Sequence, residues 1–378
     1  MRPLGLLLPS HSRNVLALLC FLTILGILFC TLWPFDPFPP NRVSWLQQTN
    51  GIRVGQRGVV LSQQAFAQAG GDSCSIELWI RPANTESVST VLNIYSPGNP
   101  WQFLVRQYHT GLIMSHDIPV PLHKPRRLKI DIDDGLQRDQ LTLITITSGP
   151  SGTRVYFDSK LKKAFPRFQI PLANLSGQLV LGSSTVLPDA WSGEVHGLAL
   201  YSRELDSEEV VENYVLWTQG NYDKLARGDS KTAAYTFSER EGNIVHSLGP
   251  TPRDLVIPKI YRVPHHSFLT PPWMEFDPSW DYLWDVLRNV AGFMPLGFLL
   301  CALFQRSSRF RAAALYATLC GGFLSLSIET LQAYIPQRGS GMTDIITNTL
   351  GTALGALLVQ SKVSPKFLKS SRKPLSSQ

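Results

Sequence analysis

The sequence predicts a mixed architecture: an all-β jelly-roll sandwich outside the cytoplasm and an α-helical bundle of four transmembrane helices. Apolar residues crowd into 14–33 and 286–358 of the 378-residue chain. The middle contains many short strand-like runs separated by Gly, Pro, Ser and Asp. Basic residues lie beside the hydrophobic segments, which is typical of a membrane protein whose topology follows the positive-inside rule.

The first hydrophobic segment is long enough to cross a bilayer. Residues 14–33 form the uncharged stretch NVLALLCFLTILGILFCTLW. At about 1.5 Å rise per residue, a helix of this length spans the roughly 30 Å hydrocarbon layer. A cleaved signal peptide is the alternative, but no small-x-small cleavage site follows Trp33. We therefore predict an uncleaved anchor.

Three further spans are predicted at 286–304, 312–335 and 343–359. Under the positive-inside rule, the basic residues place three segments in the cytoplasm and 34–285 outside it. The cytoplasmic segments are the N-terminus 1–13, the loop 305–311 and the basic tail 361–378. We expect an aromatic belt at the outer surface, formed by Trp273, Trp280, Tyr282 and Trp284.

The net charge of +7 raises the possibility of a nucleic-acid partner. No recognised nucleic-acid motif accompanies the charge, so we predict no such partner. Of the five cysteines, only Cys74 lies in the soluble middle, which excludes an internal disulfide there. The chain has no closely spaced Cys/His cluster, and we predict no metal site of that kind.

The soluble middle alternates as strands do. In the run CSIELWIRP at 74–82, every second residue is apolar, so one face of the strand is buried. Similar runs occur at 88–95, 101–106, 126–132, 140–147, 153–158, 178–183 and 191–201. A short helix at 205–216 follows, with Asp206 or Ser207 as N-cap. We predict a two-sheet antiparallel sandwich over 40–217, and a connecting segment at 218–284 that either links to the membrane or completes the sheet.

The runs SIELWIRP, TITSGPSGTRVYFDSKL, LVLGSS and WSGEVHGLALYSRELDSEEVVENY resemble the laminin-G-like, concanavalin A-like jelly-roll family. The resemblance implies a fold whose members bind sugars, bind proteins or hydrolyse glucans. The hydrolases of this architecture carry a Glu-x-Asp-x-x-Glu strand, and none of the strand-like runs of this sequence contains that spacing. We therefore expect a binding module for an envelope glycan or a protein.

No cofactor is predicted. Asp131, Asp133 and Asp134 alternate in part, and carboxylates suit calcium. We prefer a solvated turn at this position. Trp101 and Trp191 are candidates for stacking on a sugar, and burial in the sandwich core is the alternative for each.

Polar residues recur at helical spacing inside the last three predicted spans. The predicted topology puts all of them at a similar depth, in the outer half of the bilayer. Ionisable groups there cost roughly 2.5–3.5 kcal/mol each. Interhelical packing is one explanation, but we favour a polar cleft that binds a ligand. The candidate ligand-binding residues are Asp285, Arg288, Asn289, Ser325, Glu329, Gln332, Arg338, Asp344 and Asn348.

The segments DVLRNVAGFMPLGFLL and LSLSIETLQAYIPQRGSGMTDIITNTLGTALG resemble the VanZ-like family, and TLWPFDPF after the first span is similar to that family's first-helix exit. The jelly roll is thus inserted into a VanZ-like bundle formed by 1–38 and 281–360, with the last three helices within 285–360. The family is named for an accessory protein of glycopeptide (teicoplanin) resistance. The resemblance implies a cell-envelope role in a bacterium, at the cytoplasmic membrane, and it supplies no mechanism.

We expect an envelope protein whose jelly roll binds a glycan or a protein and whose cleft binds a membrane lipid, glycan or glycopeptide-like ligand. One alternative is a membrane-embedded enzyme acting on an envelope precursor, with Glu329, Asp285 or Asp344 as acid or base. The other is a structural or adhesion protein. No nucleophile elbow, metal set or phosphate loop is present in the sequence, so no catalytic residue is assigned. The sequence leaves the oligomeric state open.

Overall fold

The computed structural model describes residues 10–67, 70–118, 126–187, 189–226, 231–248, 253–263, 268–276, 280–305, 310–336 and 338–363. The chain forms two compact units. The β-unit is 38–266, and the helical unit combines 1–37 with 267–378. Most of the predicted N-terminal segment 1–13, residues 306–309 of the predicted loop and 364–378 of the basic tail lie outside the described residues.

Sixteen strands are present in the described part of the β-unit. They are β1 (Val43–Trp45), β2 (Ile52–Val54), β3 (Val60–Ser62), β4 (Cys74–Pro82), β5 (Val88–Ser96), β6 (Asn99–Tyr108), β7 (Gly111–Ile118), β8 (Arg126–Ile132), β9 (Thr142–Gly149), β10 (Gly152–Phe157), β11 (Lys160–Phe165), β12 (Gln178–Leu181), β13 (Gly193–Tyr201), β14 (Lys231–Tyr235), β15 (Ile244–Val245) and β16 (Leu255–Val256). The helices among the described residues are α1 (Ser10–Leu32), α2 (Ser207–Thr218), α3 (Tyr222–Ala226), α4 (Pro272–Glu275), α5 (Trp280–Phe304), α6 (Phe310–Gln332) and α7 (Met342–Val363), with a 3₁₀ turn at Leu172–Leu175.

The strands form two eight-stranded sheets in which every pairing is antiparallel. One sheet has the order β1-β2-β13-β4-β9-β10-β11, with β14 also paired to β13. The other has the order β15-β16-β3-β12-β5-β6-β7-β8. This arrangement confirms the predicted jelly-roll-like sandwich.

The alternation seen in the sequence of β4 explains how the core forms. Ile76, Leu78 and Ile80 point to one face of the strand and are fully buried in the apolar cluster between the sheets. Phe103 and Val105 of β6 enter the same cluster from the other sheet. Burial of such side chains is worth about 1.5–3 kcal/mol each, which makes this cluster the main source of stability in the β-unit.

Nearby residues in the chain account for a hairpin turn and for the start of α2, and the second of these confirms a prediction. Residues 148–152 join β9 to β10 in a hairpin, and Gly152 adopts the left-handed φ of +96° that the turn needs. The helix α2 begins after Asp206, whose carboxylate accepts hydrogen bonds from the backbone of Glu208 and Glu209. Glu209 returns a bond to the Asp206 backbone and so completes a capping box.

The segment after α2 belongs largely to the β-unit. β14 pairs with β13, and β15 and β16 extend the other sheet at β3. The strands β14, β15 and β16 therefore complete both sheets, one of the two roles considered for 218–284. The strands β1, β2, β3, β7 and β11 lie outside the predicted strand-like runs. β11 is the edge strand KLKKAF, whose mostly exposed and charged side chains hide the alternation that marks a strand.

The helical unit contains four helices, α1, α5, α6 and α7, that are long and apolar enough to cross a membrane. Many of their large apolar side chains are exposed, such as Phe21, Leu319 and Phe323. An exposed apolar surface of this extent suits a lipid environment. Trp273, Trp280 and Trp284 of the predicted aromatic belt are also exposed.

Glycines allow α5 and α7 to pack backbone against backbone. A methyl group at Gly351 would lie 2.2 Å from the carbonyl oxygen of Val290, and one at Gly355 would lie 1.9 Å from that of Met294. From the other helix, a methyl at Gly297 would lie 1.9 Å from the carbonyl oxygen of Thr352. The spacing Gly351-x-x-x-Gly355 therefore lets these two helices approach closely.

Candidate functional site

Polar side chains of α5, α6 and α7 meet at one end of the helical unit. Between α5 and α7, Asn289 Nδ2 donates to Asp344 Oδ1 at 2.7 Å. Between α6 and α7, Asn348 Nδ2 donates to Ser325 Oγ at 2.9 Å. Each of these helices carries its polar residues at a spacing of three or four, which is why they form continuous stripes on the facing surfaces.

Three carboxylates gather around the N-terminus of α7, and we call Glu275, Glu329 and Asp344 the acidic cluster. Glu329 Oε2 accepts the backbone N–H of Gly341 at 2.8 Å, and Glu275 Oε2 accepts that of Thr343 at 3.0 Å. Asp344 lies in the first turn of the helix. The free N–H groups and the positive end of the helix dipole stabilise carboxylates at this position.

Gly341 is needed for this arrangement. A Cβ at that position would lie 1.8 Å from Glu275 Oε1, so a side chain there would displace the carboxylate. No pattern in the sequence singles out Glu275. It lies in the Pro-rich segment that forms the four-residue helix α4, where no periodic pattern marks a face.

Asn348 has a buried acceptor without a partner. The residue is 4% exposed, and its Oδ1 has no hydrogen-bond donor among the described residues. An unsatisfied buried polar group costs about 1–3 kcal/mol. Because Ser325 and Glu329 are four residues apart on α6, this oxygen lies close to the face that carries Glu329. The end of the helical unit can therefore accept one more donor group.

The remaining predicted residues lie outside this group. Asp285 and Arg288 occupy an exposed face of α5 and pair with each other at 3.1 Å, with 67% and 74% of their side chains exposed. Arg338 is exposed and donates to the backbone oxygen of Trp33 at 3.4 Å. Gln332 is buried and donates to the backbone oxygen of Thr31 at 3.0 Å, so it joins α6 to α1.

The structure thus brings together five of the nine predicted residues. They are Asn289, Ser325, Glu329, Asp344 and Asn348. Hydrogen bonds within this set also hold the helices together, which is the packing role considered from the sequence. The unpaired oxygen of Asn348 is what packing alone does not explain.

The candidates in the β-unit have clear positions. Trp191 is 1% exposed and donates from Nε1 to Gln107 Oε1 at 2.6 Å, so it belongs to the core. Trp101 is half-buried beneath the guanidinium of Arg127, which lies 3.5 Å from the ring centroid. Neither ring offers a free face of the kind needed for stacking on a sugar.

The three aspartates considered for calcium have protein partners. Asp131 pairs with Lys129 at 3.2 Å, and Asp133 pairs with Lys163 at 3.4 Å. Asp134 accepts from Thr110 Oγ1 at 2.7 Å. Two ammonium groups beside these carboxylates are a poor fit to a calcium site, and no cluster of metal-ligating residues is found in the described part of the chain.

A buried carboxylate in the β-unit has a structural role. Glu77 is fully buried and accepts from Tyr201 Oη at 2.6 Å, Trp217 Nε1 at 2.9 Å and Asn213 Nδ2 at 3.0 Å. Burial, together with the adjacent Glu77 carboxylate, raises the pKa of Tyr201 well above its ordinary value, so the phenol stays protonated as the donor. These bonds fix α2 against the sheet.

Comparison with known proteins identifies two domains. A family model described as VanZ/LLP1 matches residues 235–363, and one described as the concanavalin A-like lectin/glucanases superfamily (Laminin_G_3) matches 54–211. The first match begins inside the β-unit, earlier than the predicted bundle. Among curated proteins, no sequence matches the chain.

Several solved structures resemble the chain distantly. The receptor-binding domain of botulinum neurotoxin D is 15% identical with a TM-score of 0.35, over 46% of each chain. The serotype D ligand-binding domain in complex with N-acetylneuraminic acid is 14% identical with a TM-score of 0.35, over 47% of this chain and 45% of that one. A heptameric SAP-like pentraxin from Limulus polyphemus is 13% identical with a TM-score of 0.32, over 46% of this chain and 78% of that one. This chain spans less than half the length of the neurotoxin chains.

Both family resemblances predicted from the sequence are therefore confirmed. The chain carries a concanavalin A-like domain of the laminin G type at 54–211 and a VanZ-like domain at 235–363.

Proposed function

We propose that this is a bacterial cell-envelope protein that binds the amine-bearing polar head of an envelope molecule at the acidic cluster of its helical unit. The four apolar helices cross the cytoplasmic membrane, and the β-unit lies outside the cytoplasm and binds a glycan. The observation that carries the proposal is the buried, unpartnered Oδ1 of Asn348, in the polar group that also holds Glu329.

The chemistry of the cluster favours a cationic donor. Glu275, Glu329 and Asp344 supply carboxylate oxygens, and Asn348 supplies an amide oxygen, all of which accept hydrogen bonds. A primary ammonium carries three N–H donors and the complementary charge, so its bonds to carboxylates are strong. The three carboxylates would repel an anionic head. Arg288 does not offset their charge, because it is exposed and paired with Asp285.

Three observations support the membrane location and orientation. Four helices are long and apolar enough to span a bilayer, and many of their large apolar side chains are exposed. The VanZ-like match covers the last three of them. The basic residues of the sequence favour cytoplasmic termini, which puts the acidic cluster at the outer surface.

A glycan-binding role for the β-unit is supported by its match to a superfamily described as lectins and glucanases. We favour binding over hydrolysis because the Glu-x-Asp-x-x-Glu spacing of the glucan hydrolases occurs only at 204–209. There it lies at the start of α2, with Asp206 as the cap, and not on a strand. This part of the proposal is independent of the acidic cluster and is tested separately.

The experiment is native mass spectrometry of the full chain in detergent with phosphatidylethanolamine, whose head is a primary ammonium, or phosphatidylcholine, whose head has no N–H donor. The wild type should retain the ethanolamine lipid preferentially. Asn348→Leu and Glu329→Gln should each weaken this retention about tenfold, because a hydrogen bond to a charged group is worth about 1.5–3 kcal/mol.

Ser327→Ala and Thr330→Val are matched controls on α6. Both hydroxyls donate only within their own helix, to the backbone oxygens of Phe323 and Leu326 at 2.8 Å. The controls should leave lipid retention unchanged. Equal retention of the two lipids by the wild type would contradict the proposed ligand class, and unchanged retention by Asn348→Leu would favour a purely structural role for the polar stripe.

A further inference from the structure

The β-unit carries a cleft at one edge of its second sheet, which includes the three aspartates considered for calcium but was not predicted as a sugar site. The hairpin tip between β6 and β7 forms one wall, and the end of β8 with the loop that follows it forms the other. We call this the rim cleft, lined by residues 108–112 and 129, 131–134. Its volume is about 470 Å³, which lies within the roughly 300–1,000 Å³ range of small-ligand sites.

The cleft contains an exposed aromatic ring, that of Tyr108. Tyr108 is 48% exposed although it ends a sheet strand, and its ring contacts that of His109 edge-on with 4.7 Å between the centroids. This contact restricts the Tyr108 side chain and so favours a stacking surface that forms before a ligand arrives. Unlike Trp101 and Trp191, Tyr108 is neither covered by an arginine nor buried in the core.

Hydrogen-bonding groups surround the ring. Asp131 and Asp133 side chains are 54% and 84% exposed, so their oxygens can accept further bonds besides those from Lys129 and Lys163. Asp134 uses one oxygen for Thr110 and keeps acceptor capacity on the other. The cleft therefore combines an apolar face with acceptors at its edge.

The walls are held in place by the backbone. The N–H of Leu136 donates to the carbonyl oxygen of Thr110 at 2.8 Å, which ties the loop to the hairpin tip. Gln107 Nε2 donates to the carbonyl oxygen of His109 at 3.0 Å. A Cβ at Gly111 would lie 2.3 Å from the carbonyl oxygen of Ile132, so the close contact of the two walls requires glycine. A preformed site loses less entropy on binding.

We propose that the rim cleft binds the terminal hexose of a glycan, either neutral or amine-bearing, with Tyr108 stacked on the pyranose ring and Asp131 and Asp134 accepting its hydroxyl or ammonium hydrogens. A pyranose has one apolar face and a rim of donors, which matches a ring flanked by carboxylates. The three aspartates outnumber Lys129 and Lys163, the two lysines that pair with them, and the remaining negative charge disfavours acidic sugars. This assignment rests on the proposed glycan-binding role of the β-unit and adds its site and its sugar class.

The test uses the full chain in detergent on an array of glycans that end in neutral, amine-bearing or acidic hexoses. The wild type should bind neutral or amine-bearing ends and should not bind sialylated or uronate ends. Tyr108→Ala and Asp131→Asn should each weaken binding about tenfold, as the loss of a stacking contact or of a carboxylate acceptor implies.

Two control variants alter the same residue chemistry elsewhere on the β-unit. Leu161→Ala removes another exposed apolar side chain, and Asp139→Asn neutralises another exposed aspartate. Both should bind as the wild type does. If the wild type binds a glycan and Tyr108→Ala binds equally well, the site is wrong and the glycan role survives. If the wild type binds no glycan on the array, the glycan-binding role is wrong. If it binds only glycans with acidic ends, the proposed sugar class is wrong.

Discussion

Replacing Gly355 with alanine should separate α5 from α7 and weaken the helical unit. The added methyl would lie 1.9 Å from the carbonyl oxygen of Met294, whereas real Cβ atoms essentially never come within 3.0 Å of another heavy atom. The helices would have to move apart locally by about 1 Å or more, because the obstacle is backbone and cannot rotate away.

The expected cost follows from overpacking, which is typically about 1–3 kcal/mol. The higher helix propensity of alanine offsets this by up to about 1 kcal/mol. With the full offset, we therefore expect a net loss of up to about 2 kcal/mol. The same movement should lengthen the bond between Asn289 and Asp344, since this bond crosses the same pair of helices.

The assay is unfolding of the full chain in mixed detergent and SDS micelles, followed by far-ultraviolet circular dichroism. Gly292→Ala is the matched control, because this glycine lies on α5 with no atom within 4 Å of the added methyl. It should be neutral or slightly stabilising. If Gly355→Ala and Gly292→Ala unfold at the same SDS fraction, the close backbone packing of α5 on α7 is refuted.

Three further predictions concern the β-unit, read out by hydrogen exchange of the full chain in detergent. Glu77→Ala should destabilise the sheet around β4 by at least about 2 kcal/mol, because the buried donors of Tyr201 and Trp217 lose their acceptor at about 1–3 kcal/mol each. Protection equal to the wild type would contradict this. Burial lowers the pKa of His116 below 6.5, so the unfolded chain binds more protons below pH 6.5 and stability falls as the pH is lowered. His116→Leu should remove part of this pH dependence in β7, and an unchanged profile between pH 7 and 5 would refute it. Asp206→Ala should lower the stability of α2 by about 1 kcal/mol through loss of the cap, whereas Glu208→Ala should cost less.

The sandwich could be predicted from the sequence because burial of one strand face produces an alternation of apolar and polar residues. The alternation in β4, the turn at 148–152 and the cap at Asp206 are each set by residues close together in the chain. The edge strand β11 was not predicted because its side chains are mostly exposed, so burial does not produce an alternating pattern there. The sequence left open whether the segment containing β14 completes the sheet or only links it to the membrane. The pairing of β14 with β13 joins residues far apart in the chain, and a short run of residues does not show which strand it pairs with.

The candidate site was predictable only in part. The spacing of Ser325 and Glu329, and of Asp344 and Asn348, correctly placed them on facing stripes. Spacing alone also grouped Arg288 with Asn289, although a rotation of about 100° separates them on the helix and Arg288 is exposed. Glu275 joins the cluster through a short helix and a glycine contact, which are tertiary features without a periodic signal.

The central claim is that the acidic cluster holds an amine-bearing head. The most direct measurement is a density map of the full chain in nanodiscs that contain phosphatidylethanolamine. We predict density for a head group whose nitrogen lies within about 3 Å of Asn348 Oδ1 and a Glu329 oxygen. A map in which Asn348 Oδ1 is satisfied by the protein itself, with no head group between Glu329 and Asp344, would contradict the claim.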